Sequence, residues 1–231
     1  MTDNSKDEFI EITRIKEEFI ANASHELKTP IASVRLAAES ALTSLERDDG
    51  MTKSFLEQIL RDSDRMNELI SDLLDLSAME SSDVFMEAFD LHDVIANEIS
   101  YLSKQNKKRI SYKKKKVEIN ANFDDISLAV KNLIKNALKY SPPEENILIQ
   151  VEENDKSVRC SFQDFGSGIS KPDQEKIFER FYRVDKGRSR KVGGTGLGLA
   201  IVKHALDRNN AVIEIVSELD YGSTFTIVFE K

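Results

Sequence analysis

The sequence predicts an α+β chain in two parts: a helical hairpin that completes a four-helix bundle by dimerising, then a mixed sheet covered by helices on one face. Three observations carry this expectation. Apolar residues recur every three or four positions through residues 12–45, and a second helical pattern runs through 55–76, the signature of amphipathic helices. Beyond Ser81-Ser82-Asp83 the texture changes to strand-like runs alternating with helical ones. Seven of the nine glycines fall between Gly166 and Gly198, which marks loops that another group approaches closely.

In the first arm the stripe runs through Ile12, Ile15, Phe19, Ala23, Leu27, Ile31, Val34, Ala38, Ala41 and Leu45. His25 is one of three histidines and lies in Ser24-His25-Glu26-Leu27-Lys28-Thr29-Pro30. At about 100° per residue it projects roughly 200° from Ala23, nearly opposite the face to be buried. An unperturbed imidazole, with pKa near 6.5, is about three-quarters neutral at pH 7 and attacks without activation. His25 is therefore a candidate nucleophile. Thr29-Pro30 could open a new helix, but the stripe keeps its phase from Leu27 to Ile31. One helix bent at Pro30 is expected, with the Glu26 carbonyl deprived of its amide partner.

A turn at Asp48-Asp49-Gly50 leads into the return arm, striped by Phe55, Ile59, Met66, Leu69, Leu73 and Leu76 and widened by Leu56, Leu60, Ile70 and Leu74. The first arm, about 40 residues, spans roughly 60 Å. Two such helices alone leave half of each apolar face wet, whereas two hairpins complete a four-helix bundle. Residues 1–80 thus predict a homodimer, residues 81–90 a linker, and residues 91–231 a second domain. In that domain helices are expected at 91–104, 125–139 and 198–208, and strands at 109–112, 116–120, 147–152, 157–163, 211–217 and 223–229.

Charge narrows the function classes. Residues 1–80 carry 18 acidic and 9 basic side chains, and residues 81–231 carry 23 and 24. This balance argues against nucleic acid as the main ligand. The basic stretch from Lys104 to Lys116, with the run Lys113-Lys114-Lys115-Lys116, reads as a solvated hairpin edge guarded by lysines. The single cysteine, Cys160, excludes an intrachain disulfide framework, fits a reducing compartment and reads as packing. No apolar run approaches the roughly 18 residues of a membrane span, and the first residues do not form a signal peptide. A cytoplasmic location is expected for the chain as it stands, whole or as a piece of a membrane sensor.

The glycines point to phosphate. They cluster in Asp164-Phe165-Gly166-Ser167-Gly168-Ile169 and in Gly193-Gly194-Thr195-Gly196-Leu197-Gly198-Leu199, the second running directly into a helix. Bare loops let backbone amides approach an anion, and a helix N-terminus favours its charge. Three familiar motifs fail. The absence of any Gly-Lys pair excludes a P-loop; Leu199 stands where a Rossmann fingerprint needs its third glycine. Asp164-Phe165-Gly166 imitates a serine/threonine-kinase metal motif, yet no glycine-rich loop precedes it. Upstream, Asn132, Asn136, Lys139 and Tyr140 lie three or four apart or adjacent, on one side of a helix. Asparagine oxygens can ligate a hard cation, and lysine can meet a phosphate.

These segments together resemble the sensor histidine kinases. Residues 24–30 resemble the H box, 132–142 the N box, 164–169 and 193–199 the two glycine boxes, and Ile177-Phe178-Glu179-Arg180-Phe181-Tyr182-Arg183 the F box, in the family's order. The resemblance implies a dimerisation and phosphotransfer hairpin followed by an α/β sandwich that binds ATP and Mg2+. It makes His25 the phosphoacceptor, Glu26 the carboxylate that takes the imidazole proton, and Thr29 the position that places water for phosphatase action. It gives Asn136 to magnesium, Asn132 and Lys139 to the neighbourhood of the phosphates, Tyr140 to the nucleoside and Asp164 to the adenine amino group, within the loop of Gly166, Gly168 and Ile169. The backbone of Gly194, Thr195, Gly196, Leu197 and Gly198 would hold the phosphates, and Arg183 with residues 184–192 would belong to a lid.

The implied partner is the receiver domain of a response regulator, phosphorylated on aspartate, with its dephosphorylation by the same chain as a second implied role. Hydrolytic relatives of this nucleotide fold carry a water-activating glutamate four residues before the magnesium asparagine. Here that position is Asn132, which cannot accept a proton, so transfer to a protein nucleophile is favoured. A regulator-binding phosphatase or a degenerate scaffold is the competing expectation; serine-kinase relatives are disfavoured because they lack the hairpin. Two departures stand out. Asn209-Asn210-Ala211 replaces a turn that the family commonly makes through glycines, and Gly187-Arg188-Ser189-Arg190-Lys191 is unusually basic.

Overall fold

The computed structural model describes residues 4–47, 50–184 and 194–231. The chain divides into two compact units, the first ending at Ser71 and the second, apart from residues 193–195, taking the remainder. The division falls within a helix rather than at residue 80.

The first unit is the hairpin of α1 (Asn4–Arg47) and the greater part of α2 (Thr52–Ser81). Helix α1 runs unbroken through a buried Pro30, as the unbroken stripe requires. Ala37, Ala41, Ser44 and Leu69 are buried, and small side chains on α1 let the helices approach closely. Polar pairs fix their register: Ser33 Oγ donates to Asp62 Oδ2 at 2.6 Å, Gln58 Nε2 to Ser33 Oγ at 2.9 Å, and Thr52 Oγ1 to Ser44 Oγ at 3.1 Å. The predicted stripe splits. Ala41 is buried within the hairpin, while Ile31 and Leu45 are exposed together with Ile20, Leu36, Leu42, Leu56, Leu60 and Ile70. Leu36 and Leu42 lie outside the stripe read from the sequence.

The second unit contains β1 (Glu87–Asp90), α3 (Leu91–Ser100), α4 (Lys104–Lys108), β2 (Ile110–Tyr112), β3 (Glu118–Ala121), α5 (Phe123–Tyr140), β4 (Ile147–Glu153), β5 (Ser157–Asp164), α6 (Lys171–Gln174), α7 (Gly198–Arg208), β6 (Ala211–Glu218) and β7 (Gly222–Glu230). Five strands form a mixed sheet in the order β2-β4-β5-β7-β6, with β2 parallel to β4 and every other pair antiparallel. Its inner face presents Ile147, Ile149, Val158, Cys160, Phe162 and Ile227 to Ile126, Leu133, Ile134, Ile201 and Leu206 of α5 and α7, all buried. Cys160 is therefore packing, as expected, and burial pushes its thiol pKa far up.

Three expectations are corrected. The linker 81–90 contains β1, which pairs antiparallel with β3 in a separate two-stranded sheet; a four-residue strand of Glu, Ala, Phe and Asp carries no β-branched residue to announce it. The helix expected over 91–104 stops at Ser100, and Ser103 restarts the chain by accepting from Asn106 N at 3.2 Å. The lysine-rich stretch is not a hairpin, because β2 and β3 belong to different sheets; β2 is an edge strand, and Lys113–Lys116 connect the sheets.

The asparagines that replace glycines make a polar junction. Asn210 has φ 52° and takes the left-handed turn, a conformation asparagine tolerates. Asn209 donates to Asp125 Oδ2 at 3.1 Å and accepts from Asn122 N at 2.6 Å. Arg208 donates to Asp125 Oδ2 at 3.0 Å, to Ser82 O at 3.1 Å and to Met79 O. The last turns of α2, which bury Leu76 and Met79, thereby belong to the second unit.

Candidate functional site

Two groups of residues come together, one in each unit. In the hairpin, the His25 side chain is exposed on α1, as its angular position predicts. Glu26, its neighbour, is held by Arg65 of α2, with Arg65 Nη2 3.0 Å from Glu26 Oε2 and both side chains largely covered. Thr29 is exposed, and its hydroxyl donates to the His25 carbonyl at 3.2 Å. Pro30 lacks the amide that would meet the Glu26 carbonyl. The turn of α1 around His25 is thus tied by side chains where its backbone ladder is interrupted.

In the second unit, Asn122 caps α5 by accepting from Asp125 N at 2.9 Å, and the helix then carries Asn132, Asn136, Lys139 and Tyr140 toward its C-terminus. Asn132 is buried, and its Nδ2 donates to Leu128 O at 3.0 Å. Its Oδ1 would stand 2.9 Å from a Cβ on Gly198, so a side chain at 198 would push the Asn132 amide aside. One turn further, Asn136 is half-buried, as is Lys139, whose Nζ lies 5.4 Å from the Tyr140 ring centre. Helix α7 begins at Gly198 without a side-chain cap, leaving N-terminal amides for an anion.

Asp164 is the last inward-facing position of β5, whose burial alternates through Val158, Cys160 and Phe162. Period-two geometry therefore puts a carboxylate where the preceding positions put core. It is 5% exposed. Burial pushes its pKa above the ordinary carboxylate range, opposed by amide donation from Gly166 at 2.9 Å and Ser223 at 3.2 Å, both to Oδ1. A Cβ on Gly166 would come within 2.5 Å of the Tyr140 carbonyl, and Phe165 N donates to Ser141 Oγ at 3.0 Å. The loop after β5 is thus seated on the end of α5. Ile169 N is held by Ser217 Oγ at 2.8 Å, and Gly168 has φ 66°.

Tyr140 is 49% exposed, yet desolvation by the groups packed around it raises the phenol pKa; the Arg183 cation opposes the rise and the Asp164 anion adds to it. Tyr140, Arg183 and Asp164 therefore share one electrostatic neighbourhood. Gly194 and Thr195 lead into Gly196, whose carbonyl accepts from Phe181 N at 2.9 Å, and Leu197 is buried before α7 starts. Gly193 and residues 185–192 of the expected lid lie outside the described residues.

Sequence reasoning assigns no role to four residues at these sites, although Phe181 lies in the F box and Ser141 in the N box. Phe181 holds a left-handed φ of 65° against the Gly196 loop, and Ser223 reaches Asp164 from β7. Arg65 meets Glu26 across the hairpin, and Ser141 at the end of α5 meets Phe165 in the loop after β5. Only Ser141, the residue that ends α5 before a proline, leaves a local signal.

The chain matches two family models in succession. Residues 15–82 match the family model of the His Kinase A (phospho-acceptor) domain, and residues 121–231 match that of the histidine kinase-, DNA gyrase B- and HSP90-like ATPases. The chain is 35% identical to the sensor-like histidine kinase SenX3 of Mycolicibacterium smegmatis over 97% of its length and 59% of that protein's. It is 36% identical to the phosphate regulon sensor protein PhoR of Pseudomonas aeruginosa, over 95% of this chain and 51% of the relative. The sensor histidine kinase WalK of Bacillus subtilis matches at 35% identity, over 91% and 36%. The chain spans about half the length of these curated relatives.

Among solved structures, histidine kinase ThkA in complex with the response regulator protein TrrA aligns with a TM-score of 0.74 at 20% identity, over 96% of this chain and 63% of that one. Histidine kinase AdeS of Acinetobacter baumannii aligns at 0.66 and 22%, over 89% and 97%. At such identities these structures show a common fold. With a phospho-acceptor hairpin, an ATPase-type domain after it and relatives that match this chain over nearly its whole length, the chain belongs to the sensor histidine kinases.

Proposed function

We propose that this chain is an ATP-dependent protein-histidine kinase that phosphorylates itself on His25 and passes the phosphoryl group to an aspartate of a response-regulator receiver domain. The observation that carries the reading is the state of Asn132. It stands where the hydrolytic relatives place a water-activating glutamate, it is buried, and its amide donates to Leu128 O. Position 132 therefore offers water no base, while His25 stands exposed on α1.

In this reading Asp164 accepts the adenine amino group, Tyr140 lies against the nucleoside with Arg183 near it, and Gly166, Gly168 and Ile169 shape that loop. Asn132 and Lys139 lie near the phosphates. The amides from Gly194 through Thr195, Gly196 and Leu197 to Gly198 hold the phosphates at the start of α7. Among the described residues no group of three or more His, Cys, Asp or Glu side chains could hold a metal. In this reading Mg2+ would be held by the oxygen of the half-buried Asn136 side chain together with the phosphates, whose charge it would neutralise.

The imidazole lone pair attacks the γ-phosphorus, the bond to the bridging oxygen breaks, ADP leaves, and the proton on the other ring nitrogen passes to Glu26. Arg65 holds that carboxylate in place. Thr29 is proposed to position water when the regulator is dephosphorylated. The exposed apolar residues of the hairpin support a homodimer.

His25→Gln tests the assignment. With γ-labelled ATP the wild-type chain is expected to gain an acid-labile label, and the variant to lose it completely while binding ATP with unchanged affinity. Label that persists in the variant sinks the assignment.

A further inference from the structure

Arg109 stands just before β2, inside the basic stretch that the sequence presents as a solvated edge. Its guanidinium is spent otherwise. Nη1 donates to Leu138 O at 3.3 Å, Nη2 to Ser141 O at 3.3 Å and Pro142 O at 2.7 Å, and Nε to Glu145 O at 3.1 Å. Its own carbonyl accepts from Ile147 N at 2.7 Å. The connection from α5 to β4 therefore wraps around one cation.

The last carbonyls of a helix have no partner within it, and a cation there also meets the negative end of the helix dipole. Arg109 supplies both at the end of α5, the turn that carries Lys139 and Tyr140. The planar fork is what serves, because its donors reach several carbonyls at once; an ammonium is a point charge and cannot span them.

The clamp continues into the nucleotide site. Ser141, held through its carbonyl by Arg109, is buried, and its hydroxyl accepts from Phe165 N at 3.0 Å. Phe165 directly follows Asp164, and Gly166 lies beneath the Tyr140 carbonyl. One route thus runs from Arg109 through Ser141 to the residue beside Asp164. We infer that Arg109 is a positioning residue of the nucleotide site, which acts through Ser141 to hold the adenine-facing carboxylate in register with the end of α5. The inference rests on the reading of Asp164 as an adenine contact.

The test uses the 231-residue chain with Arg109→Met, Arg109→Lys, Ser141→Ala and the Arg109→Met/Ser141→Ala double variant. ATP binding by calorimetry is read beside KM and kcat of self-phosphorylation. Arg109→Met is expected to raise KM for ATP about tenfold with kcat within about twofold, Arg109→Lys to fall between it and wild type, and Ser141→Ala to raise KM about fivefold. Since the two residues share one route, the double variant is expected to be little worse than Arg109→Met alone.

A KM within twofold of wild type in Arg109→Met, a loss confined to kcat, or additive effects in the double variant would each overturn the inference. If Arg109→Met does not fold, Arg109→Lys and Ser141→Ala decide it on the same KM criterion. A wild-type chain that binds no ATP brings down the nucleotide reading itself, and this inference with it; binding that survives all the variants brings down only the inference.

Discussion

Asp164, the proposed adenine contact, is a buried carboxyl that costs the fold stability. It ends a strand whose other inward residues are apolar, and burial raises its carboxyl pKa despite two amide donors. A native state with the higher pKa holds the proton more tightly than the unfolded chain does. Stability from this group is therefore greatest below the ordinary carboxylate pKa and declines as pH rises through the raised one. Asp164→Asn keeps an oxygen for the amides of Gly166 and Ser223 and removes the titration. In urea unfolding the variant is expected to match wild type at pH 3 and to exceed it at pH 7, while its ATP affinity drops about tenfold or more because adenine loses an acceptor. A variant less stable than wild type at pH 7 refutes the first half; unchanged ATP affinity refutes the second. Asp164 and Asn132 could be singled out in the sequence because each residue type stands in an ordered motif. Ser223 and Arg109 were not, since their roles depend on strands and connections far away in sequence.

At the scale of elements, the long helices declared themselves through periodicity, because a stripe sustained over many turns has few alternatives. Short elements did not. β1 shows only where its partner β3 supplies hydrogen bonds from Glu87 to Asp90, and the break after Ser100 depends on the Ser103 cap. The junction of α5, α7 and the end of α2 is equally non-local. Arg208 and Asp125 form an ion pair in which the side chains are 13% and 6% exposed. Replacing Arg208 by Met strands a buried carboxylate and is expected to cost about 3 kcal/mol in urea unfolding. Adding Asp125→Asn should recover part of the loss, as no charge then remains to be neutralised. No recovery would show that Arg208 acts by tying Met79 O and Ser82 O to the second unit instead.

At the scale of the molecule, the exposed apolar face of the hairpin makes the quantitative claim of dimerisation. Leu42 is 64% exposed in the single chain, and so is Leu60. Glutamate at both positions places charge where a second hairpin would cover it, and is expected to convert a dimer into a monomer at micromolar concentration in sedimentation velocity. A wild-type chain that already sediments as a monomer removes the premise. Among the described residues no helix is long and apolar enough to cross a membrane.

The sequence by itself determined the two-part architecture, the exposure of His25 and the order of the nucleotide boxes, because periodicity and residue type act over short stretches of chain. Only the tertiary structure decided which distant groups those residues meet. Arg65 came to Glu26, Asn209 to Asp125, Ser141 to Phe165 and Arg109 to the end of α5. A buried polar group must find a partner wherever the packed chain brings one, and that choice leaves no local pattern to read.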